Sequence, residues 1–295
     1  MFVYLNGKIL HRDEARISVF DHGFLYGDGI YETLRVYDGV VFMFDEHLCR
    51  LARSASLISL TLPLDPGSIK NATYETLIKN SLKEAYVRIT ISRGHGELGL
   101  DPDLCAHTTF AIFTLPIHPY PKAYYDSGIR IIIPKTRRNY KDALNPMIKS
   151  LNFLNNILAK IEAKKADAYE ALMLNPDGFL AECTVSNLFF VKDGILKTPS
   201  VDCGILDGIT RGILIDIAKR QNIQVIEDKF TKDEIYQADE VFLTNSTMEV
   251  MPVRQVDEVH YKVGDFARNL RKAYQHEVTA YVADAKSKGP SIWNE

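Results

Sequence analysis

Two dipeptides constrain this chain more than anything else in it. Asn6-Gly7 lies between the apolar run Phe2–Leu5 and residues 8–10, and Asp38-Gly39 lies between residues 32–37 and 40–44. Asn-Gly and Asp-Gly favour the primed two-residue turns whose twist matches that of paired strands, so each predicts an antiparallel hairpin. The period then changes. Over residues 45–58, Leu48, Leu51, Ala52, Ala55 and Ile58 recur every three or four positions, which predicts a helix with Asp45 as its cap. Residues 68–80 form a second expected helix, and 86–92 and 108–114 read as strands.

The stretch PIHPYPKAYYDS at 116–127 holds three of the twelve prolines and has no periodicity. It marks a linker at 118–128 between a small N-terminal domain, 1–117, and a larger C-terminal domain, 129–295. A length of 295 residues suits two domains of roughly 150 each. The second domain reads as a strand at 129–134, a helix at 151–165, paired strands at 169–174 and 186–191, a helix at 210–221 and a strand at 225–228. The tail from Ala283, ending KSKGPSIWNE, is expected to fray. Hairpins and helices mix without strict βαβ alternation, so the fold class is α+β and not a doubly wound sheet.

Composition narrows the function. At 46% hydrophobic and 25% charged residues the chain is globular, and a net charge of −3 gives no field for nucleic acid or an anionic membrane. The opening MFVYLNGKILHRDE carries Lys8, Arg12 and Asp13 too early for a signal peptide, and no apolar run reaches the ~18–20 residues that span a bilayer. Cys49, Cys105, Cys183 and Cys203 are scattered without a C-x-x-C pair, and no H-E-x-x-H occurs. A metal-free cytoplasmic protein with free thiols is expected.

Four features could carry chemistry. In GILDGITRGILIDIAKR, residues 204–220, a turn at Asp207-Gly208 leads into a helix at Ile209-Thr210, where free amides would bind a phosphate. A plain turn capped by Thr210 explains the same residues. Tyr26-Gly27-Asp28-Gly29 and Arg93-Gly94-His95-Gly96 lack the strand-to-helix setting of a nucleotide loop and read as tight turns. Lys149 follows the apolar Pro146-Met147-Ile148 and precedes a helix. Apolar neighbours lower a lysine's basicity and suit it to Schiff-base chemistry; the alternative is an ordinary structural lysine. Glu182, in GFLAECTVSNLFF, would be a buried carboxylate needing a cation, either a protonated pyridine nitrogen or a neighbouring arginine.

Seven stretches together resemble the class IV aminotransferases, the pyridoxal-phosphate family of branched-chain and D-amino acid aminotransferases and aminodeoxychorismate lyase. They are FLYGDGIYETLR, FDEHLCRL, RITISRGHGELGLDP, IKSLNFLNN, FLAECTVSNLFF, GILDGITR and ADEVFLTNSTMEVMPV, in the family's order from about Tyr4 to Val253. The resemblance implies a two-domain fold type IV homodimer, with higher oligomers open, and an active site at the domain interface with the cofactor lysine in the larger domain. By the same resemblance Lys149 holds pyridoxal 5'-phosphate as a Schiff base and moves the substrate's proton. Glu182 pairs with the ring nitrogen, and Arg50, Ile209, Thr210, Ser246 and Thr247 bind the cofactor's phosphate side. Tyr26, Tyr31, Arg35, Tyr86, Arg88 and Leu100 face the substrate, Leu100 from the other subunit, and Ser246-Thr247 helps Tyr86 with the α-carboxylate. Arg88 takes glutamate's distal carboxylate. The implied reaction is ping-pong transfer from branched-chain L-amino acids to 2-oxoglutarate, with D-amino acid aminotransferase or aminodeoxychorismate lyase as the alternatives.

The chain departs from the family pattern at three places. RGHGELGLDP lacks the R-x-H carboxylate trap of the D-amino acid enzymes. Phe153 stands where branched-chain enzymes usually carry a tyrosine that bonds the cofactor's phenolic oxygen. Cys183 replaces the glycine that usually follows the glutamate.

Overall fold

The computed structural model describes residues 1–288, which form two units, each with its own sheet. The first unit comprises residues 1–118, 148–152 and the described residues from Val278; the second comprises residues 119–147 and 153–277.

Both Gly turns make their hairpins in the first unit. β1 (Phe2–Leu5) pairs antiparallel with β2 (Lys8–His11) across Asn6 and Gly7, which have φ of 48° and 86°. Such left-handed values suit Asn and Gly and explain why those residues stand there. After α1 (His22–Tyr26), β3 (Gly29–Tyr37) turns at Asp38-Gly39 into the short β4 (Val40–Val41). α2 (Phe44–Leu57) and α3 (Pro66–Lys79) follow, then β5 (Ala85–Ser92) and β6 (Thr109–Pro116). The six-stranded sheet has the order β2-β1-β6-β5-β3-β4 and is antiparallel throughout. In β3 and β5 every second residue is buried, and Ile30, Leu34, Val36, Val87, Ile89 and Ile91 join Leu48, Leu51 and Ala55 of α2 in one core.

Asp45 does not cap α2. The cap is Met43, in the left-handed region at φ 50° with no side-chain bond, and Asp45 lies in the first turn, where the helix dipole still favours its charge. α3 has the conventional start instead: Asp65 accepts from the Ser68 amide at 3.1 Å and Pro66 opens the helix.

The second unit begins with α4 (Lys122–Ser127), a short helix inside the stretch expected to be a linker. Then come β7 (Ile129–Ile132), α5 (Leu154–Lys165), β8 (Glu170–Leu174), β9 (Leu180–Cys183), β10 (Asn187–Lys192) and β11 (Ile195–Pro199). α6 (Ile209–Arg220), β12 (Val225–Asp228), α7 (Lys232–Tyr236), β13 (Glu240–Asn245), β14 (Glu249–Val256), β15 (Val259–His260) and α8 (Asp265–Ser287) complete the described chain. The main path of this sheet is β12-β11-β10-β13-β14-β7-β8-β9, with β15 beside β14. The pairs β11–β12, β14–β7 and β7–β8 are parallel, so this sheet is mixed. β8, β9 and most of β10 are buried at every position, as expected of strands covered on both faces.

Three expectations about the chain's course need correction. The strands expected to pair with each other, β8 and β10, do not: β8 pairs with β7 and β9, and β10 with β11 and β13. Residues 148–152, Lys149 among them, belong to the first unit and not to the larger domain in which their sequence neighbours lie. They pair with the first unit's sheet: the Tyr31 amide donates to Lys149 O, the Leu151 amide to Gly29 O, and Ile30 bridges Ser150. The tail does not fray from Ala283, because α8 runs to Ser287; the rest of that expectation falls on residues 289–295, outside the described chain.

Candidate active site

The first unit gathers Lys149, Tyr31, Tyr86 and Arg88. β3 and β5 pair with Tyr31 opposite Thr90, Thr33 opposite Arg88 and Arg35 opposite Tyr86, so all six side chains share the face opposite the core. Arg88 lies over the Tyr31 ring, its Cζ 4.0 Å from the centroid, and its Nε donates to Thr90 Oγ1 at 3.1 Å. The amine of Lys149 stands 4.4 Å from the centre of the same ring. The negative faces of a phenol ring attract such nitrogen groups. Burial pushes the Tyr31 hydroxyl well above its ordinary range, against the pull of Arg88, so it stays a neutral donor. The Tyr86 hydroxyl meets Thr33 Oγ1 at 3.4 Å.

The other side of β3 holds a group the sequence reading did not single out. Glu32 faces the core between Ile30 and Leu34 and is fully buried. Arg50 Nε and Nη2 donate to its two oxygens at 2.7 and 2.8 Å, and His47 Nδ1 donates at 2.7 Å. His47 and Arg50 are three apart on α2 and so share one helix face. Burial drives the Glu32 carboxyl upward, but Arg50 and His47 outweigh it and hold it far below the usual carboxylate range. Burial also lowers the His47 imidazole, against the opposing pull of Glu32. Farther along the same face, Ser54 Oγ accepts from the Lys149 amide at 3.2 Å.

The remaining substrate candidates divide. Arg35 is engaged with Glu84 at 2.9 Å and lies over Tyr37, a structural assignment for a residue expected to face substrate. The Tyr26 hydroxyl accepts from the Gly99 amide at 3.2 Å, which ties α1 to the loop bearing Leu100, itself 83% exposed.

The second unit gathers Glu182, Thr210, Ser246 and Thr247. Glu182 lies near the end of β9 and is buried, with Arg138 Nη2 at 2.9 Å from one oxygen and the Leu206 amide at 3.0 Å from the other. Asn187 donates to Glu182 at 3.3 Å and to Leu206 O at 2.9 Å, linking the carboxylate to the turn before α6. That turn is tight: a Cβ on Gly208 would lie 2.0 Å from Asn187 Oδ1. Gly208, not Thr210, caps α6 and has no side chain to offer, so the helix's first amides are left for an external acceptor. Across the ladder Asn187 pairs with Thr244, and Asn245 donates to Val185 O at 3.1 Å, which brings the 244–247 turn beside residues 182–187. Thr247 donates to Asn245 Oδ1 at 3.0 Å, and Tyr120 OH lies 3.4 Å from its hydroxyl.

A phosphate-bearing pyridine fits these residues. The hydroxyl of Thr244 is buried without a hydrogen-bond partner among the described residues, on the ladder beside Asn187, which bonds to the turn before α6. Burying an unpaired hydroxyl is costly, and an anion at the α6 terminus would relieve that cost. Cys183 takes no part as a charged group, because burial pushes its thiol well up. His95 forms a backbone bridge with Asp21.

The sequence patterns match the amino-transferase class IV family over residues 29–256. The chain belongs to this family. Among its relatives, a putative branched-chain-amino-acid aminotransferase of Methanocaldococcus jannaschii is 44% identical over 93% of this chain and 96% of its own length. A D-alanine aminotransferase of Bacillus licheniformis is 32% identical over 96% of this chain and 99% of its own. Among solved structures, the T.th. branched-chain amino acid aminotransferase with pyridoxamine 5'-phosphate superimposes with a TM-score of 0.91 at 30% identity, over 97% of this chain and 96% of that one. With two sheets and the order of elements given above, this is the family's fold, and its cofactor is pyridoxal phosphate.

Three participants escaped the sequence reading: Glu32, His47 and Arg138. His47 had a usable signal, the H-x-x-R spacing with Arg50 on one helix. Glu32 had one as well, as a carboxylate on the apolar parity of a strand. Arg138, in an irregular stretch 44 residues before Glu182, had none.

Proposed function

We propose that this chain transfers the amino group of branched-chain L-amino acids to 2-oxoglutarate, as a homodimer in the cytoplasm. The observation that supports the reading is the Tyr31–Arg88–Lys149 cluster, in which a guanidinium that could take a carboxylate and the lysine amine contact the same phenol ring. The nearly full-length likeness to the archaeal relative supports the choice of substrate, as does the missing R-x-H motif.

The roles follow from the side chains. When bound, pyridoxal phosphate supplies an electron sink for charge that develops on the substrate's α-carbon. Lys149 would take the proton from that carbon and later return it, which requires an amine that is neutral for part of the cycle. Glu182, held by Arg138 and the Leu206 amide, would keep a proton on the ring nitrogen. Arg50, the amides of Ile209 and Thr210 and the hydroxyls of Ser246 and Thr247 would hold the phosphate. Tyr86 and the Ser246-Thr247 turn would bind the α-carboxylate, and Arg88 the distal carboxylate of glutamate. Tyr26, Tyr31 and Leu100 would shape the side-chain pocket.

Association has its own support in exposed apolar surface. Phe24, Leu98 and Leu100 are exposed in the first unit. On α5 in the second, Leu154, Ile157, Leu158 and Ile161 expose a stripe at helical spacing. Solvated monomers rarely leave such stretches bare, and a second copy would cover them.

The test is the visible spectrum of the purified enzyme on addition of L-leucine, D-alanine or aminodeoxychorismate. Loss of the cofactor band with L-leucine alone, restored by 2-oxoglutarate, is the expected result. Loss with D-alanine alone would replace this reading by the D-specific one, and pyruvate release from aminodeoxychorismate would make the enzyme a lyase.

A further inference from the structure

Glu32 occupies a place where an apolar side chain would be ordinary. It lies on the core-facing parity of β3 between Ile30 and Leu34, both fully buried, and has no exposed surface of its own. A buried ion pair is a poor device for stability, because desolvation cancels much of its attraction and a well-packed apolar group often does as well. What the pair does achieve is geometry. Glu32 takes both Nε and Nη2 of Arg50, a two-point grip that fixes the plane of the guanidinium as well as its position. His47 fills the same carboxylate from one turn back on α2 and keeps Glu32 from rotating. The helix face that carries His47 and Arg50 also carries Ser54, which holds the Lys149 backbone. A single rigid face therefore sets the placement of Arg50 relative to the lysine.

We propose that Glu32 and His47 are positioning residues that lock the Arg50 guanidinium in the orientation needed to grip the cofactor's phosphate. The inference rests on the reading of Arg50 as a phosphate ligand. Two effects of opposite sign make it testable. If Glu32 acted only through its charge, removing that charge would leave Arg50 more positive and tighten binding of a phosphate dianion. If it acts by position, the same change frees a long side chain with many rotamers and loosens binding.

The experiment compares the affinity of the full chain for pyridoxal phosphate with that for pyridoxal, which lacks the phosphate. It uses wild type, Glu32→Gln, His47→Gln and Arg50→Ala, with thermal unfolding of each. Glu32→Gln should weaken pyridoxal phosphate by about tenfold, as expected for a misaligned charge-assisted pair, while pyridoxal binding stays within about a factor of two. Tighter or unchanged binding of pyridoxal phosphate, or an equal loss for both ligands, would overturn the proposal. If Glu32→Gln does not fold, His47→Gln decides by the same criteria. If Arg50→Ala leaves the ratio of the two affinities unchanged, the phosphate role of Arg50 has failed and the proposal falls with it. If Arg50→Ala lowers the ratio and the Glu32 and His47 variants do not, only the positioning role has failed.

Discussion

Each unit buries a glutamate on a strand and answers it with an arginine, yet the two sites are built differently. Glu32 is enclosed: both oxygens are taken by two side chains from one face of α2, and the surroundings are Ile30, Leu34 and the helix. Glu182 sits near the end of β9, and its partners come from separate places: Arg138 in the loop after β7, Asn187 on β10 and the Leu206 amide before α6. The first arrangement is a sealed core pair that can set a geometry. The second ends at a turn, beside an uncapped helix start, where a carboxylate can meet a ligand. The same residue type acquires different uses because one strand position ends in packing and the other in backbone turns.

The largest effect expected is on turnover. Lys149→Ala should lower transamination by about 10⁴-fold or more, whereas Glu182→Gln should lower it on the order of 10²-fold. Both are read from 2-oxo acid formation with L-leucine, and equal losses would mean that Glu182 does more than hold a ring proton. Stability should separate the two glutamate–arginine pairs. Arg50→Leu leaves the buried Glu32 with His47 as its remaining partner and should cost about 3–5 kcal/mol, while Arg138→Leu should cost about 1–3 kcal/mol because Glu182 keeps its amide partners. Denaturant midpoints of the two variants measure this difference, and a reversed order would refute the contrast between sealed and open sites.

Acid should distinguish the pairs further. Glu32 has a depressed pKa, so its stabilisation is present above the unfolded carboxyl value of about 4.3 and is lost as pH falls through the folded value. His47 is also depressed, so folding favours its neutral form and loses stability as pH falls below the unfolded value of about 6.5. Melting temperature against pH should therefore fall first below about 6.5 and again below about 4.3. Glu32→Gln should flatten the lower step, and an unchanged profile would remove Glu32 from the account.

Smaller effects concern surfaces. Phe24→Asp in the first unit or Leu158→Asp in the second should lower the sedimentation mass from dimer to monomer if each patch is covered by a second copy. Arg88→Gln should raise KM for 2-oxoglutarate by about tenfold and leave the leucine half-reaction nearly unaltered, because only the former carries a second carboxylate.

Much of this protein is visible in its amino-acid order, because much of it is local. Hairpins at Asn6-Gly7 and Asp38-Gly39 follow from the backbone freedom of two residues, and α2, α3 and α6 follow from side-chain period. Lys149 and Glu182 stand out by residue type among apolar neighbours, and the order of the motifs carries the family. Tertiary structure alone decided the rest. Residues 148–152 leave their sequence neighbours to bond with Gly29–Tyr31, where Lys149 O accepts the Tyr31 amide and Gly29 O accepts the Leu151 amide. Met43 starts α2 in place of Asp45, since the sharp turn out of β4 sets where helical backbone can begin. Arg138 meets Glu182 across 44 positions, and α2 brings His47 and Arg50 to Glu32 only once it packs on β3. Turns and periods depend on neighbours along the chain; the partner of a buried charge depends on which surface closes over it.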